Sequence, residues 1–418
     1  MQFLKKLKLA LDRLILGRST PGRMLEHVFD RNLSILDKVL ESILLKDGLE
    51  HSEFRGRLTR WRKSYIGKSW GLWTDFSDSA NICEFLGDSS IAESDIVSIF
   101  ADPDMHYRRF WLPSRRSDNT RSKGRVRKRR LIHAPDDSLL SIHRLLLREV
   151  LDSFDLVISD AAHSYRPRRS PRTCMFPHKS SGWMICMDFR NFFGTITEDK
   201  VLRALVDRLG CPSSTAACYS RLFTVNCEDK GIRVLPQGAP TSGFISNVCL
   251  IGFDQRLRAM LSSVDSNIVY TRYADDIVIS GPGMLSKSVK SRVIALVSQA
   301  ANGKGFVINN SKTRVYSGAS VMRALGIDIR GGELFPRKSI IDYIEKQVRL
   351  IKTRSLTEVS NGWGGLVDGQ DNTLKYLDHL WGLIIYASGI NRRYAQGVIA
   401  ELENVETPLS GRLGLIDS

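Results

Sequence analysis

The sequence has no run approaching 18 uninterrupted apolar residues, which excludes a conventional membrane-spanning helix. It has no Cys-x-x-Cys pair, and its seven cysteines are an odd number. That usage argues against a disulfide or zinc framework and for a reducing compartment. Internal repeats and low-complexity tracts are absent as well. Acidic residues are scarce beside basic ones: 45 Asp plus Glu face 61 Lys plus Arg across 418 residues, a formal charge of +16. Residues 1–16 are basic and apolar, but Lys5, Lys6, Lys8 and Arg13 interrupt any signal-peptide core, so an amphipathic helix docked on its own protein is expected. With 42% hydrophobic and 25% charged residues, the chain has ordinary globular usage, enough for a sizeable core. These features predict a cytoplasmic protein with no membrane partner and a polyanion to bind.

The positive charge is concentrated. Between His106 and His133 stand eleven Lys/Arg and one acid, Asp118. Such a block repels itself, so Ser114 to Lys128 reads as a loop. Apolar residues flank it (Tyr107, Phe110, Trp111 and Leu112, then Leu131 and Ile132), which predicts two strands joined by a basic hairpin. Arg166, Arg168, Arg169 and Arg172 with Tyr165 repeat the theme. Two clusters favour nucleic acid over a small acidic substrate, with Arg125, Arg127, Lys128, Arg129, Arg166, Arg168 and Arg169 as candidate contacts to phosphates.

Periodicity predicts helices across residues 1–100, then at 139–156, 200–209, 241–260, 286–301, 340–353 and 374–387. Strands are expected at Trp183–Asp188, 231–235, 268–270, 277–280, 306–309, 314–316 and 324–329. Hairpins interleaved with helices fit an α+β fold better than a doubly wound parallel sheet.

Two of these elements carry acids. The run Trp183-Met184-Ile185-Cys186-Met187 ends at Asp188, and Asp275-Asp276 sit between two apolar β runs. Adjacent acids in such a hairpin raise each other's pKa, a cost that a cation offsets. Two Mg²⁺ ions about 3.5–4 Å apart, held by carboxylates on neighbouring strands, clamp the attacking and leaving oxygens of a phosphoryl displacement. Magnesium suits such a site, with Mn²⁺ as a substitute, because it keeps waters and phosphates as its other ligands.

Arg272-Tyr273-Ala274-Asp275-Asp276 resembles the YxDD hairpin of reverse transcriptases. Met187 to Phe193 (MDFRNFF) resembles the preceding metal-binding strand, and Leu235 to Ser242 (LPQGAPTS) the LPQG element, in the family's order. Arg130 to Pro135 (RLIHAP) resembles the fingers block of retron and group II intron enzymes. Ala162 to Arg166, Asn309 to Thr313 and Leu325-Gly326-Ile327 extend the likeness, which covers residues 107–330.

The resemblance implies an α+β right-hand polymerase with a helical N-terminal extension (1–100), fingers (101–182), a palm (183–330, with a fingers insertion near 200–245) and a helical thumb (331–418). It implies an RNA-directed DNA polymerase of bacterial anti-phage defence. A structured non-coding RNA would serve as template, with dNTPs, a DNA product, and a homo-oligomer or an effector protein as further partners. Asp188 and Asp275 would hold two metals, with Asp276 assisting. Phe193 would lie under the incoming sugar and disfavour a 2′-hydroxyl. Gln237 and Gly238 would line the nucleotide pocket, Arg130 would contact the triphosphate, and Lys312 would neutralise or protonate the pyrophosphate. The usual Asn-Ala-x-x-His and Val-Thr-Gly elements of retron enzymes read Cys174 to His178 and Arg323 to Gly326 here, which leaves the retron and other defence-associated classes open. Template-independent or protein-primed synthesis by the same site, and an RNA-binding scaffold with a vestigial site, are the alternatives.

Overall fold

The computed structural model describes residues 91–113, 129–227, 231–318, 320–354, 356–361, 363 and 372–403. Most of the N-terminal extension, the loop with Arg125, Arg127 and Lys128, and the end of the chain lie outside the described residues. The strands are β1 (Tyr107–Pro113), β2 (Arg129–Pro135), β3 (Trp183–Asp188), β4 (Val225–Cys227), β5 (Ile232–Val234), β6 (Val269–Tyr273), β7 (Asp276–Gly281), β8 (Arg314–Ser317), β9 (Met322–Ala324), β10 (Ile327–Arg330) and β11 (Glu333–Pro336). The chain divides into two compact units, one of Met1–Val157 with Ile196–Val248, the other of Ile158–Thr195 with Cys249–Ser418.

In the first unit the two strands expected on either side of the basic block are present. β1 and β2 pair antiparallel, with Phe110 opposite Ile132 and Leu112 opposite Arg130. The next helix, Asp137–Glu149, starts where Asp136 accepts a hydrogen bond from the Leu139 N–H, a side-chain N-cap. Its inner face buries Leu139, Ile142 and Leu146, burial that stabilises the fold by about 1.5–3 kcal/mol per side chain. His143 on the same helix is fully buried, bonded to the Tyr107 hydroxyl (2.9 Å) and the Thr241 hydroxyl (2.8 Å). Burial pushes its pKa down to about 3, so it stays neutral. Arg233 on β5 ties that strand to Asp104 at 2.6 Å.

The second unit is built on a four-stranded antiparallel sheet in the order β6-β7-β3-β8. All six residues of β3 are buried, as a central strand covered on both faces requires. Strand alternation puts Met184, Cys186 and Asp188 on one face and Trp183, Ile185 and Met187 on the other. Met184, Cys186 and Val278 join a core with Met322, Ile327, Ile329 and Leu334 of the three-stranded sheet β11-β10-β9. The single strand expected over 324–329 is instead a hairpin. Leu325 (φ 53°) and Gly326 (φ 78°) both take left-handed backbone, which turns the chain tightly between β9 and β10. Nor is 306–309 a strand: only Ile308 bridges, to Phe189, because β8 already pairs with β3 along Trp183–Cys186.

Asp328, fully buried on β10, accepts from Arg323 (2.6 Å), Arg330 (2.9 Å) and the Lys338 N–H (3.3 Å). It thereby anchors the start of the helix Lys338–Thr353. That helix shares a core of Ile344, Val348, Tyr376, Leu380 and Ile384 with Asn372–Ile390, and Arg392–Glu403, which the periodicity did not reveal, closes it with Val398. Among the described residues no helix is long and apolar enough to cross a membrane.

Candidate active site

Asp188 closes β3 directly opposite Asp276, the first residue of β7. Side chains so paired lie on one face of the sheet with Cβ atoms about 4.5–5.5 Å apart. Asp275 precedes Asp276 in the two-residue turn, and its carbonyl accepts from the Phe189 N–H at 3.2 Å. Three acids therefore meet at one end of the sheet. Asp188 is 7% exposed; its Oδ2 accepts from Lys312 Nζ at 2.8 Å, while its buried Oδ1 has no hydrogen-bond partner. Burial, then the charges of Asp275 and Asp188, push the Asp276 carboxyl up to about 7, against the pull of Arg314 and Lys312.

Lys312 reaches the acids because the chain after Ile308 is stitched to the end of β3. The Asn309 N–H donates to the Asp188 carbonyl (2.7 Å), and a short 3₁₀ turn, Asn310–Lys312, carries the lysine inward. Its side chain is 56% exposed.

The turn between β6 and β7 is itself constrained. Ala274 has φ 54°, a left-handed conformation uncommon outside glycine. Its N–H donates to Ser164 Oγ (2.6 Å) and its carbonyl accepts from Arg272 (3.0 Å), whose guanidinium is gripped by Asp254. Sequence reasoning gave no role to Arg272, Asp254 or Ser164. A signal existed: an arginine and an aspartate, each inside a segment of buried residues, need partners. Tyr165, half exposed with φ 55°, lies close enough to Asp275 for the carboxylate to raise its pKa, burial being the larger cause.

Phe193 is half-buried, five residues beyond Asp188, its ring tilted on Phe192 with centroids 5.2 Å apart. Arg166 turns inward, its Nη1 donating to the carbonyls of Ser159 (2.9 Å) and Ala162 (3.0 Å), so it is partly engaged in holding its own loop. Arg168 is exposed, and Arg169 stands 4.0 Å from Asp160. His163 and His178 are buried, and both are bonded to hydroxyls, of Thr173 and of Ser280 and Thr271 respectively.

In the first unit, Gln237 is half-buried and Gly238 exposed, while Arg129 and Arg130 are exposed on β2. The His133 N–H donates to the Gln237 carbonyl at 3.0 Å. A Cβ on Gly238, whose φ is 140°, would lie 2.5 Å from the His133 carbonyl oxygen. The close approach this glycine permits is thus to β2 itself, tying the strand of Arg130 to the loop of Gln237.

A divalent cation fits the acid cluster. Three carboxylates at one point repel one another, one of them is driven toward protonation, and a buried oxygen of another lacks any partner. Among the described residues, no three His, Cys, Asp or Glu side chains form a ready ligand cage. A cation here would complete its shell from phosphates and water, as magnesium does in polymerases.

Residues 123–329 match the protein family described as reverse transcriptase (RNA-dependent DNA polymerase), whose members use divalent cations. The retron Mx65 reverse transcriptase of Myxococcus xanthus is 32% identical over 236 residues, covering 54% of this chain and 51% of that protein. The retron Ec86 reverse transcriptase of Escherichia coli is 26% identical over 280 residues, 66% of this chain and 80% of that one. For retron Ec83 reverse transcriptase, also of Escherichia coli, the figures are 26% over 309 residues, 72% and 88%. The chain spans about half the length of the two Myxococcus xanthus relatives it matches, Mx65 and Mx162. The α+β fold of a right-hand polymerase agrees with the reverse transcriptase match over residues 123–329, and the curated relatives that the chain resembles are retron reverse transcriptases of bacteria.

Proposed function

We propose that the protein is an RNA-directed DNA polymerase that copies an associated structured non-coding RNA from dNTPs. The observation that carries this reading is the register of Asp188 opposite Asp276, with Asp275 adjacent and Asp188 Oδ1 unpartnered. Two Mg²⁺ ions held by Asp188 and Asp275, with Asp276 assisting, would activate the primer 3′-hydroxyl and neutralise the phosphates. The chain's own groups do the rest. Lys312, already a counter-charge to Asp188, is long and exposed enough to turn to the pyrophosphate. Phe193 sets a ring where a 2′-hydroxyl would clash. Arg130, Gln237 and Gly238 hold the triphosphate and base, and the basic residues around Arg129 and Arg168 bind the template backbone. An anti-phage setting, with an effector or a second copy as partner, follows from the resemblance of the chain to defence enzymes.

To test it, the protein is purified with its co-expressed RNA and incubated with dNTPs and Mg²⁺, and the product is sequenced. DNA complementary to one co-purifying RNA is expected. Homopolymeric or random DNA would replace templated copying by template-independent synthesis, and no DNA at all would overturn the proposal.

A further inference from the structure

The hairpin that carries Asp275 is clamped from both sides of a single residue. The Ala274 N–H donates to Ser164 Oγ at 2.6 Å, and the Ala274 carbonyl, half of the peptide leading into Asp275, accepts from Arg272 Nη1 at 3.0 Å. Arg272 cannot swing away. Its Nε and Nη2 donate to Asp254 Oδ1 (2.9 Å) and Oδ2 (2.8 Å), and the Tyr270 hydroxyl donates to Asp254 Oδ1 at 2.6 Å. Both side chains of the pair are 0% exposed. The backbone of Arg272 is fixed as well, its N–H to the Ala161 carbonyl (2.6 Å) and its carbonyl to the His163 N–H (2.8 Å). Ser164 follows directly on that stretch, so one segment, Ala161 to Ser164, holds both Arg272 and Ala274.

Stability alone accounts poorly for this design. A buried ion pair commonly does no better than well-packed apolar residues of similar volume. What an apolar pair cannot supply is a third donor aimed at the Ala274 carbonyl. Only the guanidinium fork can satisfy Asp254 in two places and still reach that oxygen; an ammonium is a point charge without the fork. The left-handed φ of Ala274 makes the turn liable to relax if either hold is lost.

We infer that Arg272, braced by Asp254 and seconded by Ser164, is a positioning residue. It fixes the Ala274–Asp275 peptide and so the direction of the Asp275 carboxylate toward a divalent cation. The inference rests on the proposed polymerase reading of that cluster.

Three variants test it: Arg272→Lys, Ser164→Ala and, as a control buried elsewhere in the same sheet, Ile279→Val. Each is measured for thermal unfolding, for Mn²⁺ binding by electron paramagnetic resonance of the free ion, and for dNTP incorporation against Mg²⁺ concentration. Supporting groups around a metal site typically change affinity or activity by about 10–100-fold, so Arg272→Lys should weaken Mn²⁺ binding and raise the half-saturating Mg²⁺ by about tenfold. Ser164→Ala should shift both in the same direction, and the KM for dNTP should stay near wild type in both. Ile279→Val should lower the melting temperature alone. Should Arg272→Lys fail to fold, Ser164→Ala decides by the same measurements. Wild-type metal dependence in the folded variants overturns the inference and leaves the polymerase reading intact. Absence of Mn²⁺ binding and DNA synthesis in the wild type overturns both.

Discussion

Two ion pairs flank the acid-bearing end of the sheet, and they are opposite in kind. Arg272 and Asp254 are both wholly buried, and the arginine is forked across both carboxylate oxygens. Lys312 meets Asp188 through one oxygen, with the lysine side chain 56% exposed and the aspartate 10%. The first pair has no route to change partner. The second is a flexible cation on an acid whose other oxygen is unpartnered. The proposed polymerase site would need both kinds, one to keep its shape and one to exchange counter-ions at each turnover.

Breaking each pair should expose that difference. Arg272→Met leaves Asp254 charged and buried, a cost of about 3–5 kcal/mol, which a denaturant titration would read. Lys312→Met should cost less, about 1–3 kcal/mol, since the lysine is half exposed and only Asp188 is left buried without its partner. Its effect belongs in turnover, with kcat falling about 10²-fold, the low end for a lost general acid. If Lys312→Met unfolded the protein as readily as Arg272→Met, the contrast would be lost.

The pairing of β6 and β7 has a pH dependence of its own. His178, fully buried, bonds Ser280 on β7 at 2.6 Å and Thr271 on β6 at 2.8 Å. Burial, with a smaller push from His163, brings its pKa down to about 3. The unfolded chain takes up that proton near pH 6.5 and the folded chain does not, so stability is full above about 6.5 and falls as pH drops toward 3. Between pH 7 and 5 the loss from one such histidine is about 2 kcal/mol, and His143 and His163, whose pKa values are pushed to about 3 and about 4, add to it. His178→Asn should flatten the slope of unfolding free energy against pH by about one proton. An unchanged slope would show that the ring is not held neutral.

Smaller effects sharpen the account at its edges. Phe193→Ala should raise ribonucleotide incorporation relative to dNTPs about tenfold, a magnitude typical of reshaping an apolar pocket. Arg129→Ala, an exposed cation on β2, should lower the slope of log affinity against log salt by about one for a model RNA.

Much of this architecture could be read from the sequence because its signals are local. The apolar run Trp183–Met187 with a terminal acid, and paired runs around Asp275-Asp276, specify β3 and β7 within a residue, while β6 runs three residues beyond the expected 268–270. Asp136 and Ser286 are residue types that favour helix starts, and each accepts a backbone N–H as a side-chain cap in the structure. What escaped was non-local or conformational. Leu325 gives no sign of adopting a positive φ, so one strand was expected where the chain turns. Arg272 reads as one more charge until Asp254, in a helix 18 residues earlier, is seen against it. Ser164 lies 110 residues from the turn it clamps. Gly238 was legible as part of the LPQG element, but not that its neighbour would be the His133 carbonyl.

The most direct test of the central claim is anomalous scattering from crystals grown with Mn²⁺, a primer–template lacking a 3′-hydroxyl and the next dNTP. Two peaks about 3.5–4 Å apart, bridged by Asp188 and the Asp275–Asp276 corner, are the predicted result. Peaks elsewhere, or none at those carboxylates with nucleotide bound, would contradict it.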